Sequence, residues 1–121
     1  MVAVPDECVF CAIVAGTEPA TVVHRWPDAL AIVPHGPVVA GHLLVIPTVH
    51  VRDHTTDPSV TAVVMGRAAE IAPHPSNLIA NAGREATQSV FHLHVHVVPR
   101  AAGDGLALPW YSGRSGRRSL P

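Results

Sequence analysis

Apolar and polar positions alternate most strictly late in the chain, where His92, His94 and His96 interleave with Leu93, Val95 and Val97. A period of two is the period of a strand, so residues 91–98 are read as one, stopped by Pro99. Two earlier apolar runs, 21–26 and 29–33, flank Pro27 and Asp28 and read as a β-hairpin. Residues 42–46, closed by Pro47, and 77–81 read as two further strands. The period changes twice. Asp6 and Glu7 precede an apolar stretch over 8–16 that ends at Gly16, the pattern of a short helix. Asp57 followed by Pro58 is an N-cap with proline at the first helical position. Val60, Val63, Val64, Ala68 and Ile71 then recur at helical spacing, with Arg67 as the polar break. Pro73, His74 and Pro75 end that helix. The order predicts an α+β domain, a five-stranded antiparallel sheet with two helices, over residues 1–100. Glycine, serine, proline and arginine dominate residues 101–121, which read as a tail that is partly docked or disordered. Trp110 and Tyr111 are the side chains able to dock it.

Composition narrows the function. The chain has 121 residues, enough for one domain, and 48% of them are hydrophobic. Formal net charge is −1, with no lysine and the arginines spread out except for Arg114, Arg117 and Arg118. A nucleic-acid-binding face is not expected. No apolar run approaches the ~20 residues of a membrane span, and the start lacks the pattern of a signal peptide. Two cysteines are too few for a secreted disulfide scaffold, so a cytoplasmic protein is expected. The 9 histidines are the anomaly, and three of them share one strand.

Alternate side chains of a strand lie about 6.5–7 Å apart on one face. Three imidazoles so placed, opposite an apolar face, are costly to bury without partners. They suit a metal site or nucleophilic catalysis, in which a neutral imidazole attacks an electrophile and a neighbour fixes its tautomer. A solvated face would be served as well by serine or threonine. Residues 83–89 lead into the strand as a loop of small and polar residues. Gln88, Ser89 and free backbone N–H groups there suit phosphate oxygens, which favours phosphoryl chemistry.

Residues 92–98 follow the pattern His-φ-His-φ-His-φ-φ, with φ apolar. With it stand Cys8-Val9-Phe10-Cys11, Ile13 and Gly16; Gly41 to Pro47 with His50; Asn81 and Gly83; and Gln88 to Phe91. On these residues, which span roughly Cys8 to Arg100, the chain resembles the histidine triad family of nucleotide hydrolases and transferases. It is most similar to the small, single-domain, purine-nucleotide-binding branch.

That resemblance implies the roles. His94 would be the nucleophile that attacks the α-phosphorus of a nucleotide, forming a nucleotidyl-histidine that water resolves to a nucleoside monophosphate. His96 would bond the phosphate or leaving group, and His42 would support the triad. Gln88 and Ser89 would contact the phosphate and leaving group, with the N–H of Val90 beside them, and Asn81 would lie near the ribose and phosphate. Phe10, Ile13, Ile32 and Leu44 would line the base pocket, although by themselves they read as core. Substrates implied are a nucleoside phosphoramidate, a dinucleoside polyphosphate or an acylated nucleotide. The rival readings are a nucleotide- or zinc-binding interaction module with negligible turnover, and a nucleotidyl transferase or phosphorylase. A homodimer that joins the two sheets is implied, with Trp110 a candidate to reach the partner's site.

Two positions depart from the family pattern. Pro34 stands where close relatives carry an aspartate that bonds the ribose hydroxyls, with His35 the nearest substitute. Thr87 stands where a glycine is usual. Cys8 and Cys11 are three apart and share a helix face. Alone they could be a redox pair or two small buried residues. The resemblance implies instead that they join His50 and His92 on a structural zinc, which would tie the first helix to the sheet.

Overall fold

The computed structural model describes residues 7–114. Its elements are α1 (Val9–Ala15), β1 (Val22–Arg25), β2 (Ala29–Ile32), β3 (Leu43–Pro47), α2 (Pro58–Ile71), β4 (Ser76–Ala80) and β5 (Val95–Pro99), with one 3-10 turn at Arg84–Ala86. The strands form one antiparallel sheet in the order β1-β2-β3-β5-β4. Among the described residues no helix is long and apolar enough to cross a membrane.

Each helix starts and stops where its ends find hydrogen-bond partners. Cys8 Sγ accepts from the N–H of Cys11 and so caps α1, while Gly16 ends it at φ +80° with its N–H on the last carbonyls. Glu7 precedes the cap, as the sequence pattern implies. Asp57 caps α2 through Ser59 N–H at 3.0 Å, ahead of Pro58. Arg67, the polar break in α2, binds Asp28 at 2.9 Å and reaches over the Trp26 ring, joining the helix to the β1–β2 turn.

Alternation along the strands divides two apolar layers. Ala29, Ala31, Val45, Leu93, Val95 and Val97 face α2, where Val64 and Ala68 meet them. Leu30, Ile32, Leu44 and Ile46 face Phe10 and Ile13 of α1. Register then aligns Ile32 with Leu44, Leu44 with His96, and His96 with Ile79 in one row on the α1 side.

The expected strand over residues 91–98 is corrected: the ladder begins only at Val95. Ahead of it, Leu93 N–H bonds the carbonyl of Val51 at 2.8 Å, outside the sheet. The alternation survives this bend, because Leu93 is buried against α2 while the rings of His92 and His94 meet Phe10 edge-on. Residues 101–114 turn back on the sheet through Arg100. Its guanidinium binds Asp104 at 2.8 Å, Asn77 at 2.7 Å and the Leu106 carbonyl at 2.7 Å. Arg114 is exposed, and Arg117 and Arg118 lie outside the described residues.

Candidate catalytic and metal site

Backbone groups fix the proton on each ring of the triad. A carbonyl can only accept, so His94, whose Nδ1 lies 2.9 Å from the His92 carbonyl, carries its proton on Nδ1. Its Nε2 lone pair is left free. A backbone N–H can only donate, so the Val38 N–H, 3.1 Å from His42 Nδ1, puts the His42 proton on Nε2. That Nε2 then donates to His96 Nδ1 at 3.0 Å, which leaves the proton of neutral His96 on its own Nε2. His94 therefore offers a lone pair at Nε2 and His96 offers a proton at Nε2. Their ring centroids are 5.2 Å apart.

Burial keeps these rings neutral. It holds His94 and His42 below the usual imidazole range, with the His92 carbonyl working weakly the other way at His94. His96 is pushed down to about 4, first by burial and then by the charges that His94 and His42 would carry. Desolvation therefore keeps the Nε2 lone pair of His94 available.

A cavity of about 860 Å³ opens over His94 and His96. Phe10, Ile13, Ile32 and Leu44, the four apolar residues singled out in the sequence, all line it, as do Ser89 and Val90. Polar groups thus gather at one part of an apolar cleft, the common form of a small-molecule site. Gln88 is placed differently. It is buried, and its amide braces the loop: Oε1 accepts from Gly83 N–H at 2.8 Å, and Nε2 donates to the carbonyls of Arg52 and Val90. Asn81 follows β4 and is not among the residues lining the cavity.

Beside the triad, Cys8, Cys11, His50 and His92 each offer one ligand atom, all within 4.8 Å of one another. Cys11 Sγ is 3.2 Å from His50 Nδ1 and 3.5 Å from His92 Nδ1; Cys8 Sγ is 3.4 Å from His92 Nδ1. Tetrahedral zinc with such ligands spaces them by roughly 3.3–3.8 Å. The donor set fits in its protonation as well. His92 Nε2 lies 3.1 Å from the Pro47 carbonyl and must donate to it, so the Nδ1 lone pair faces the cluster. Burial pushes His92 down to about 4, which keeps that lone pair available. Burial raises the Cys11 thiol to about 11, with Cys8 beside it adding to the shift. A bound cation would reverse that last effect.

Sequence reasoning missed the backbone partners: the carbonyls of Pro47 and Arg52 and the N–H of Val38. No side-chain pattern could have signalled them. His24 stacks on Trp26 away from the cavity, whereas His35 lines its rim.

The chain is similar in sequence and fold to known proteins. A family model described as "HIT domain" matches residues 15–103. Adenosine 5'-monophosphoramidase hnt1 of Schizosaccharomyces pombe is 33% identical, over 87% of this chain and 84% of that one. Adenylylsulfatase HINT3 of Arabidopsis thaliana is 33% identical, over 95% of this chain and 61% of that one. The crystal structure of a zinc-bound histidine triad family protein from Mycobacterium smegmatis superimposes with a TM-score of 0.79 at 37% identity, covering 95% of this chain and 84% of that one.

Proposed function

The chain belongs to the histidine triad (HIT) family, and on that basis we propose that it is a nucleotide hydrolase acting at the α-phosphate of a purine nucleotide through His94. The carrying observation is the pair of opposed tautomers at His94 and His96. Relatives named as a monophosphoramidase and an adenylylsulfatase support a nucleoside phosphoramidate or an acylated nucleotide as substrate. Dinucleoside polyphosphates share the same reacting phosphorus.

In the first step His94 Nε2 forms a bond to phosphorus as the bond to the leaving group breaks. The Nε2–H of His96 donates a hydrogen bond to the leaving atom as charge develops there; sulfate or a polyphosphate departs as the anion, and a phosphoramidate nitrogen departs as ammonia with the protons it already carries. In the second step water attacks phosphorus, the P–N bond breaks to restore the His94 lone pair, and one water proton is released to solvent. His42 holds His96 in the tautomer that donates toward the leaving atom. Ser89 and the N–H of Val90 border the phosphate, and Gln88 keeps their loop in place. Phe10, Ile13, Ile32 and Leu44 enclose the base. Cys8, Cys11, His50 and His92 would hold zinc, which supplies a structural cross-link between α1, the segment after β3 and the triad. A cytoplasmic site fits the free thiols.

We also propose a homodimer. Among the described residues β4 lies at the sheet edge with one side unpaired, and Trp110, 47% exposed, borders a groove with Asn77 beside that edge. A second copy would extend the sheet there.

Intact-protein mass spectrometry after rapid quenching tests the chemistry. Wild type mixed with adenosine 5′-phosphoramidate should carry one nucleotidyl group, lost in acid, and His94→Ala should carry none. Undiminished turnover by His94→Ala overturns the mechanism. Tight binding without product in wild type would favour a binding module. A nucleoside diphosphate formed with added phosphate would favour a phosphorylase.

A further inference from the structure

A nucleotide whose phosphate meets His94 must place its base and sugar in the rest of the 860 Å³ cavity. The side chains lining that cavity with any hydrogen-bonding atom are Thr21, His35, His42, Ser89, His94 and His96. Three of these are engaged by the chemistry or its support, and Ser89 stands at the phosphate. Among the described lining residues there is no carboxylate and no carboxamide. Vicinal sugar hydroxyls are read most strongly by a carboxylate, which accepts from both at once. The described aspartates are held elsewhere: Asp28 by Arg67, Asp53 by Thr55, Asp57 by Ser59 and Asp104 by Arg100. The loop that closes the cavity after β2 instead brings Val33, Pro34, Gly36 and Val38, whose side chains are apolar or absent, and His35, whose imidazole has at most one acceptor nitrogen and cannot accept from two hydroxyls at once.

We propose that this site does not read the sugar, and that its substrates include 2′-deoxyribonucleotides on a par with ribonucleotides. The inference rests on the nucleotide-hydrolase reading above and deepens it. Its reason does not depend on how the nucleotide lies, because no orientation within these walls brings a carboxylate to the hydroxyls. A site that bonds a substrate hydroxyl rejects the analogue lacking it by roughly 10⁴-fold, since its own polar groups are then left unpaired. Thr21 and His35, the remaining polar side chains of the described lining, can each leave at most one neutral hydrogen bond unmade, which is worth only a few-fold. Loss of the 2′ hydroxyl should change kcat/KM by no more than about fivefold. Pro34, half-buried in the wall, is the position at which a carboxylate would restore the reading.

Two measurements decide it. The first compares kcat/KM for adenosine 5′-phosphoramidate and its 2′-deoxy counterpart. The second compares calorimetric binding of AMP and dAMP to the same protein. Ratios within about fivefold are expected in both, and Pro34→Asp should move the ratio about tenfold toward the ribonucleotide. A wild-type preference for the ribonucleotide above roughly 30-fold overturns the proposal while leaving the hydrolase reading intact. Equal binding with no turnover of either substrate supports the proposal and overturns the hydrolase reading. Failure of both nucleotides to bind overturns the two together.

Discussion

The backbone carbonyl of His92 accepts a hydrogen bond from Nδ1 of His94 at 2.9 Å. One residue thus has two duties: its ring faces the cysteines, and its carbonyl sets the tautomer of His94, the proposed nucleophile. The expected state of His94 is neutral, with the proton on Nδ1. Two-bond ¹H–¹⁵N correlation spectra at pH 7.5 should show an unprotonated Nε2. A protonated Nε2 would remove the lone pair that the proposed attack needs.

The same residue makes the Cys8, Cys11, His50 and His92 cluster and the triad one structural unit. Purified protein should contain about one zinc per chain, because four ligands close one tetrahedral site. Cys11→Ser should lose the metal and lower Tm by on the order of 10 °C, since metal binding contributes directly to folding free energy in such sites. Elemental analysis with thermal melts checks both. Metal-free protein with an unchanged Tm would show that the four residues are held together without a cation.

Much of this was legible in the sequence, for identifiable reasons. The alternation at 92–97 survives folding because Leu93, Val95 and Val97 have a layer to enter, even though the ladder starts only at Val95. Asp57-Pro58 and Gly16 mark helix ends because capping is local chemistry. The strand order was not legible: β5 inserts between β3 and β4 through contacts remote in sequence. Nor were the bonds from Val38, Pro47 and Arg52, because any residue can supply a backbone donor or acceptor. Gln88 was read as a phosphate contact from its type and place. Its burial shows an amide already occupied within its own loop.

Leu93 lies between His92 and His94 in sequence, points into the layer under α2, and is 1% exposed. Leu93→Ala leaves a cavity in the layer under α2 and should cost about 3 kcal/mol in urea denaturation. The loop carrying His92 and His94 then loses its apolar anchor, so kcat should fall while the fold persists. A cost under about 1 kcal/mol would mean that the layer collapses around the truncated residue.

His96 is pushed from 6.5 down to about 4 in the folded protein. The unfolded chain therefore takes up the proton first as the pH falls. Stability contributed by the buried neutral ring is complete above about pH 6.5, is lost as the pH falls through that value, and levels off below about 4. His42, also held low by burial, adds in the same direction. Urea midpoints should decline between pH 7.5 and 5, and His96→Gln should flatten part of the slope. Midpoints constant across that range would show that the pair protonates as readily folded as unfolded.

Thr87 is the only residue other than glycine with positive φ among the described residues, at φ +71° and ψ +17°. A β-branched side chain in this left-handed region costs roughly 1–2 kcal/mol. The conformation persists because its neighbours require it: Thr87 N–H closes the 3-10 turn on the Arg84 carbonyl, and Gln88 clamps the loop to Gly83. Glycine relieves the strain but gives back about 0.5–1 kcal/mol of chain entropy. Thr87→Gly should therefore stabilise the protein by about 0.5–1 kcal/mol, raising Tm by a few degrees. The backbone that presents Ser89 and Val90 keeps its path, so kcat/KM should stay within about twofold. A lower Tm would show that the strain is compensated at Thr87 itself, and a large loss of kcat/KM would show that the strained turn holds the phosphate loop in register.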